Sequence, residues 1–162
     1  MSKPLLNPQG DFPPVGLGRR LAAMFYDFLL CTALLMVTTL VYKMIQMAII
    51  GETRMRALTE AGALDGDPLL STVLLFALFG FFAKFWTHGG QTLGMQVWGV
   101  RVQNADGSAI SLWQALLRFV VSIASLLCLG LGFIWSLFDK RKRSWHDIYS
   151  ETQLVRIPKQ KK

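Results

Sequence analysis

From Leu21 to Tyr42 the chain carries a single charge, Asp27. A helix rising about 1.5 Å per residue turns that stretch into a rod of roughly 33 Å, enough to cross the hydrocarbon core of a bilayer. A water-soluble domain of 162 residues buries one core and cannot hide such a rod on every side. The sequence therefore predicts a membrane protein, and a composition of 52% hydrophobic and 17% charged residues agrees. The apolar run is too long for the core of a secretory signal and no small-residue cleavage site follows it, so it is expected to remain as a span. Cys31 and Cys128 both sit in apolar stretches and read as small packing residues, leaving the redox compartment unread.

This first apolar block continues to about Ile50, interrupted by Lys43. A second, Leu69 to Trp86, follows Pro68 and has Lys84 near its far end; its length is the minimum for a crossing. A third, Trp113 to Phe138, includes an uncharged run from Phe119 onward that is long enough for a third crossing. The flanking charges constrain the count. Residues 1–20 carry Lys3, Arg19 and Arg20 against Asp11, whereas the 51–68 loop carries Arg54 and Arg56 against Glu52, Glu60, Asp65 and Asp67. After Phe138 come Lys140, Arg141, Lys142, Arg143, Arg156, Lys159, Lys161 and Lys162 against Asp139, Asp147 and Glu151. Basic flanks stay in the cytoplasm, so both ends are expected there, which requires an even number of crossings.

The third block offers a return path at Leu129-Gly130-Leu131-Gly132, since each glycine weakens a helix by about 1 kcal/mol relative to alanine. Ahead of it, Gln114, Arg118, Ser122 and Ser125 form one polar stripe that must face water or protein. The expected fold is all-α, a polytopic helical membrane protein. Two topologies remain open, two spans plus a membrane-embedded helical hairpin entering and leaving on the cytoplasmic side, which is favoured, or three plain spans. Between the second and third blocks, Val97, Gly99 and Arg101 alternate with Trp98, Val100 and Val102 ahead of Asn104-Ala105-Asp106-Gly107, which predicts a short cytoplasmic β-hairpin. The chain divides into a cytoplasmic amino-terminal segment (1–18), a transmembrane domain (19–157) and a basic tail (158–162).

Several motifs in order, Gly18-Arg19-Arg20-Leu21-Ala22-Ala23 with Asp27, Gly90-Gln91-Thr92-Leu93-Gly94 before a Gly-Val-Arg-Val strand, Arg118, and Asp139 with basic residues and Trp145-His146-Asp147, make the chain resemble the RDD family of bacterial membrane proteins. The resemblance covers Gly16 to Ile157. It implies that the family's named arginine and aspartates fall on Arg20, Asp27 and Asp147, with Asp139 the competitor for the last. Two positions depart from the family pattern: Met95 stands where a basic residue usually follows the Gln-Thr-Leu-Gly run, and Ser150-Glu151-Thr152 replaces a small-Gly-Thr turn. Membrane transport has been proposed for the family, and related domains in larger proteins look like partners within membrane complexes.

A lone carboxylate at the centre of a membrane helix costs roughly 2.5 to 3.5 kcal/mol, so Asp27 is expected to be paired, with Arg118 preferred over Lys84 because a guanidinium can hold a carboxylate through two parallel hydrogen bonds. Arg20, Asp27, Arg118, Asp139 and Asp147 together form the predicted inner-leaflet charge network. Lys140, Arg141, Lys142, Arg143 and Trp145 are the predicted lipid-headgroup contacts, each basic residue near an anionic leaflet contributing about 1 kcal/mol. Ser144, His146 and Asp147 are too close in sequence to present nucleophile, base and orienter in order, so no enzyme is expected. His88 and His146 make no metal site, the glycines at 89, 90 and 94 make no phosphate loop, and no cofactor or nucleic-acid partner is expected. The expected partners are the bilayer, its anionic lipids, and either further copies of the chain or another membrane protein. The expected location is the bacterial inner membrane, multi-pass, with the amino terminus cytoplasmic. Two functions fit: a transport-related protein working as an oligomer, with Asp27 as the proton- or cation-binding group, and a non-transporting accessory or assembly subunit of a membrane complex.

Overall fold

The structure is a computed structural model that describes residues 4–62 and 66–158; Lys3, Asp65 and the basic tail from Lys159 onward lie outside the described residues. Helix α1 runs over Leu17–Ile50, the short α2 over Glu52–Glu60 and α3 over Pro68–His88. Helix α4 (Leu93–Trp98) leads into strand β1 (Val100–Gln103), and α5 (Leu112–Leu127) is followed by the one-turn α6 (Leu131–Ile134) and a 3₁₀ turn, Trp135–Leu137. Helix α7 (Trp145–Tyr149) and strand β2 (Gln153–Arg156) complete the chain.

Two helices, α1 with 34 residues and α3 with 21, are long and apolar enough to cross a membrane. No residue in the most apolar window of α1 is buried by protein, and Met36, Val37, Leu40 and Phe76 all stand exposed. Side chains of this kind, apolar on every face of a helix, are stable only against lipid. The third apolar block does not form one continuous helix. α5 and the segment Leu131–Leu137 meet at 109°, across a break in which Leu129 and Gly130 both take positive φ, 55° and 78°. The break falls where the glycines placed it.

The chain divides into two compact units, residues 29–80 and the remaining described residues. In the first, the Tyr42 hydroxyl donates to Asp67, whose other carboxylate oxygen caps the start of α3 by accepting from the Leu69 and Leu70 N–H groups. The second unit holds the polar structure. Its sheet corrects the expected β-hairpin: β1 forms as predicted, but residues 93–98 are helix, and β1 pairs antiparallel with β2, Val102 opposite Leu154, rather than with the segment after Gly107. Val100 and Val102 are wholly buried, as are Val15 and Ala115. The amino-terminal segment joins this sheet, with Leu6 N–H donating to Gly107 O, Val15 N–H to Leu154 O and Arg156 N–H to Pro13 O.

Helix α5 starts at a reciprocal cap, in which the Ser111 hydroxyl accepts from the Gln114 N–H and the Gln114 side chain accepts from the Ser111 N–H. Its polar stripe faces protein, as expected. Gln114 donates to Asn104 Oδ1 and Ser150 O, and Arg118 and Ser125 are buried where α5 packs on α7. Gly132 permits that packing, because a Cβ there would lie 2.4 Å from Ser125 Oγ and 2.9 Å from the Trp145 ring.

Candidate functional site

Asp147 is the centre of the most heavily charged buried site among the described residues. It stands at the third position of α7, and the spacing Ser144-x-x-Asp147 makes a capping box: the Asp147 carboxylate accepts from Ser144 N–H at 3.0 Å and Ser144 Oγ at 2.7 Å. A cap at the surface would end there. Here α1 supplies Arg20, whose Nη1 reaches Asp147 Oδ2 at 2.6 Å, and α5 supplies Arg118, whose Nη1 reaches Oδ1 at 2.7 Å. One carboxylate thus ties together helices drawn from three distant parts of the sequence. All three residues are at most 3% exposed.

Both arginines make further contacts. Arg20 Nη1 donates to Ser144 Oγ at 2.9 Å, Nη2 to Lys142 O at 2.6 Å and Nε to Val15 O at 3.3 Å. Arg118 donates to the Thr152 hydroxyl, which contacts Ser150 Oγ, and its guanidinium lies 5.3 Å from the centroid of the Trp86 ring. Phe82, stacked on Trp86 at 5.0 Å and facing Phe119 at 6.3 Å, adds an apolar wall. Burial alone would raise the Asp147 pKa, but the flanking guanidiniums of Arg118 and Arg20 outweigh it and hold the carboxyl well below the usual range.

His146 completes the cluster. Its Nε2 lies 2.8 Å from Ser144 Oγ. The order of a catalytic relay is nonetheless absent. Ser144 gives its one proton to Asp147, so Nε2–H of His146 is the donor to Ser144 Oγ, and Asp147 faces the arginines and the serine rather than His146 Nδ1. Burial pushes the His146 pKa down to about 3, against the pull of Asp147 and with the repulsion of Arg118 and Arg20. The imidazole is therefore neutral at physiological pH.

Asp27 lies elsewhere, which corrects the predicted Asp27–Arg118 pair. Its carboxylate accepts from the Thr92 hydroxyl and, at 3.0 Å, from Gly94 N–H. Thr92 is itself the cap of α4, accepting from Met95 N–H at 3.2 Å. Asp27 thus extends the α4 cap from α1. Gly94 allows this closeness, since a Cβ on it would lie 2.4 Å from Ala23 O and 2.8 Å from Asp27 Oδ1. Gln91 of the same motif donates to Val100 O at 2.7 Å, so Gln-Thr-Leu-Gly is a docking device for α4. Lys84, the other predicted partner, is exposed.

Asp139 also stands apart from the cluster. It accepts from Arg143 Nε at 3.1 Å and from the Arg141 and Arg143 N–H groups, closing the loop before α7, and Arg143 holds its carboxyl below the ordinary value. Arg20 therefore selects Asp147 and not Asp139. Of the predicted headgroup contacts, Lys140, Arg141 and Lys142 are exposed, Arg143 is held by Asp139, and Trp145 is half-buried, 6.5 Å from Trp135. Sequence reasoning missed Thr92, Ser144, His146 and Thr152 as members of these networks. The legible traces were two caps, Thr92 before α4 and Ser144-x-x-Asp147 at α7. Among the described residues no group of three His, Cys, Asp or Glu side chains could hold a metal ion.

The RDD family model matches residues 14–151. The chain is 27% identical over 149 residues to the uncharacterized protein YckC of Bacillus subtilis (strain 168), covering 89% of this chain and 85% of that one. It is 30% identical over 87 residues to the uncharacterized protein YxaI of the same strain, covering 54% of this chain and 56% of that one. No solved structure matches. The matched stretch takes in α1 with Arg20 and Asp27, the α4 docking motif, Arg118 and Asp147, and on that match the chain belongs to the RDD family, as an integral membrane protein.

Proposed function

We propose that this protein is a non-transporting accessory or assembly subunit of a bacterial inner-membrane complex, with both ends in the cytoplasm. The observation that carries the reading is the internal use of its buried charges. Asp147 takes both Arg20 and Arg118, and Asp27 is spent on capping α4. Groups so committed fix helix ends to a small polar cap and leave that cap's outer surface for a partner. The Ser144 hydroxyl, with its proton and both lone pairs engaged, carries no hydrolase role in this reading. Solubilising the tagged native protein in a mild detergent and capturing it should bring down a second membrane protein in stoichiometric amount. Recovery of homo-oligomers alone, active in ion flux, would overturn the assignment.

One observation favours the transport reading. Both hydrogen-bond donors to Asp27 are neutral, and a buried carboxylate without a fixed counter-ion among the described residues is free to take up a proton or a cation. In that case the protein would work as a homo-oligomer, since two spans and a broken helix enclose no pathway. Outward of Asp27, α1 offers Thr32, Thr38 and Thr39, and the Thr38 hydroxyl is turned back on Leu34 O. Proteoliposomes should then show flux driven by a pH or sodium gradient, lost in Asp27→Asn while the protein stays folded.

A further inference from the structure

A groove of about 670 Å³ lies in the unit that carries the sheet, lined by Arg19, Trp98, Val97, Arg156 and Phe12 among others. Among the described residues, two guanidiniums and no carboxylate line it. Arg19 gives one hydrogen bond, Nη1 to Trp98 O at 3.2 Å, which tethers the side chain and leaves its other N–H groups unused among the described residues. Arg156, on the exposed end of β2, makes no ion pair or side-chain hydrogen bond among the described residues. The Trp98 indole Nε1–H is buried and has no hydrogen-bond partner among the described residues. The rim is apolar. Leu93 and Val97, four residues apart on α4, are exposed, as are Leu21, Phe25 and Tyr26 on α1, and Tyr26 meets Trp98 edge-on at 6.4 Å. Arg19 stands two residues before the apolar run of α1, and paired Tyr and Trp rings are the residues that settle at the headgroup level of a bilayer.

Cationic forks within the groove, amphipathic aromatics beside it and bare aliphatic side chains along its rim match one kind of ligand. We propose that this groove binds an anionic phospholipid, its phosphate between Arg19 and Arg156 and its chains along Leu93, Val97 and the adjoining face of α1. The site is distinct from the basic run at 140–143, where Arg143 is already neutralised by Asp139 and where a second groove counts Asp147 and Glu151 among its lining residues. It stands independently of the accessory and transport readings.

The test uses the full-length protein in detergent. Binding of dioctanoyl phosphatidylglycerol, dioctanoyl phosphatidylcholine and inorganic phosphate is followed by the shift in thermal midpoint, and retained lipids are counted by native mass spectrometry. Phosphatidylglycerol should raise the midpoint and remain bound, with the other two much weaker. Arg156→Gln should weaken phosphatidylglycerol about five- to tenfold, which is the loss of one cation beside the phosphate, while Arg156→Lys restores most of it. Arg19→Gln should act alike; because Arg19 also braces Trp98, the exposed Arg156 carries the decision if that variant does not fold. Arg54→Gln, at an exposed position of α2, should change nothing. Equal binding of phosphatidylcholine, or equal weakening by Arg54→Gln, overturns the site. Inorganic phosphate binding as tightly as the lipid replaces a lipid site with a soluble-anion site, and an acidic peptide displacing the lipid outright at equal concentration assigns the groove to a protein partner.

Discussion

Asp147 neutralises only one of the two guanidiniums it touches, so the buried cluster keeps a formal charge of +1 while His146 stays neutral. The surplus is spread over the carbonyls of Val15 and Lys142 and the face of Trp86. This balance sets the acid response. An unfolded chain protonates His146 as the pH falls through about 6.5, but the folded protein does not until about 3. Between those values the unfolded state binds one proton more, so stability should fall by roughly 1.4 kcal/mol per pH unit on acidification. Asp147 is depressed when folded, so its contribution is fully present above the unfolded carboxylate value near 4 and is lost only below it. Chemical unfolding in detergent at pH 7, 6 and 5 should show the slope, and His146→Gln should flatten it there while leaving the fall below about pH 4. An unchanged slope would assign the acid sensitivity to another group. Glu151 gives a second residue-scale expectation. It holds φ 53°, a left-handed conformation that disfavours any side chain, at the position where the family tends to use glycine. Glu151→Gly should raise stability by about 0.5 to 1 kcal/mol, read as a higher unfolding midpoint, whereas a lower midpoint would mean that the carboxylate has an unseen favourable role.

At the scale of elements, what was legible in the sequence and what was not divide by the distance over which a pattern acts. The spans and the break after Leu127 follow from local hydrophobicity and glycine, and the structure has them where expected. The partner of Asp27 was sought by matching depth along helices, a one-dimensional rule. The actual partners, Thr92 and Gly94, are the cap and second residue of a six-residue helix too short to register as a membrane element. The β-hairpin failed for a related reason, since alternation around Val100 marks a strand but carries no information on which strand it meets, and β2 lies some fifty residues on. Ser144-x-x-Asp147 was visible as a short-range pattern, and only tertiary contact turns a cap into a three-helix junction. The α4 junction makes its own prediction. Gly94→Ala places a methyl 2.4 Å from Ala23 O, so α4 must shift away from α1 and release the Asp27 carboxylate. The loss should be about 1 to 3 kcal/mol of stability, the range for overpacking a tight contact. Trp98 fluorescence in an otherwise Trp-reduced background should report the displaced helix, and a variant as stable as the parent with unchanged emission would show that the close approach is not required.

For the whole molecule, the sheet decides the parity of the crossings. Backbone hydrogen bonds join Val15 to Leu154 and Arg156 to Pro13, so the segment before α1 and the segment after α7 share one compact unit and must lie on the same side of the membrane. In the topology we propose, α1 and α3 each cross once and the bent α5–α6 segment returns to the side it left, for which the 109° turn at Leu127–Leu131 gives the means. Charge then selects the side. Arg19, Arg20 and the basic residues at 140–143 flank the apolar segments at this end, whereas Glu52, Glu60, Asp65 and Asp67 outnumber Arg54 and Arg56 between α1 and α3, and the positive-inside rule is the ground on which we propose that both termini are cytoplasmic. In a background lacking Cys31 and Cys128, Leu5→Cys and Pro158→Cys should both resist an impermeant thiol reagent in intact cells and both react once the membrane is opened, while a cysteine at Thr59 should react in intact cells. Labelling of the position-158 cysteine alone would mean that the two ends lie on opposite faces, and would break the pairing of the amino-terminal segment with β2 on which the even count rests.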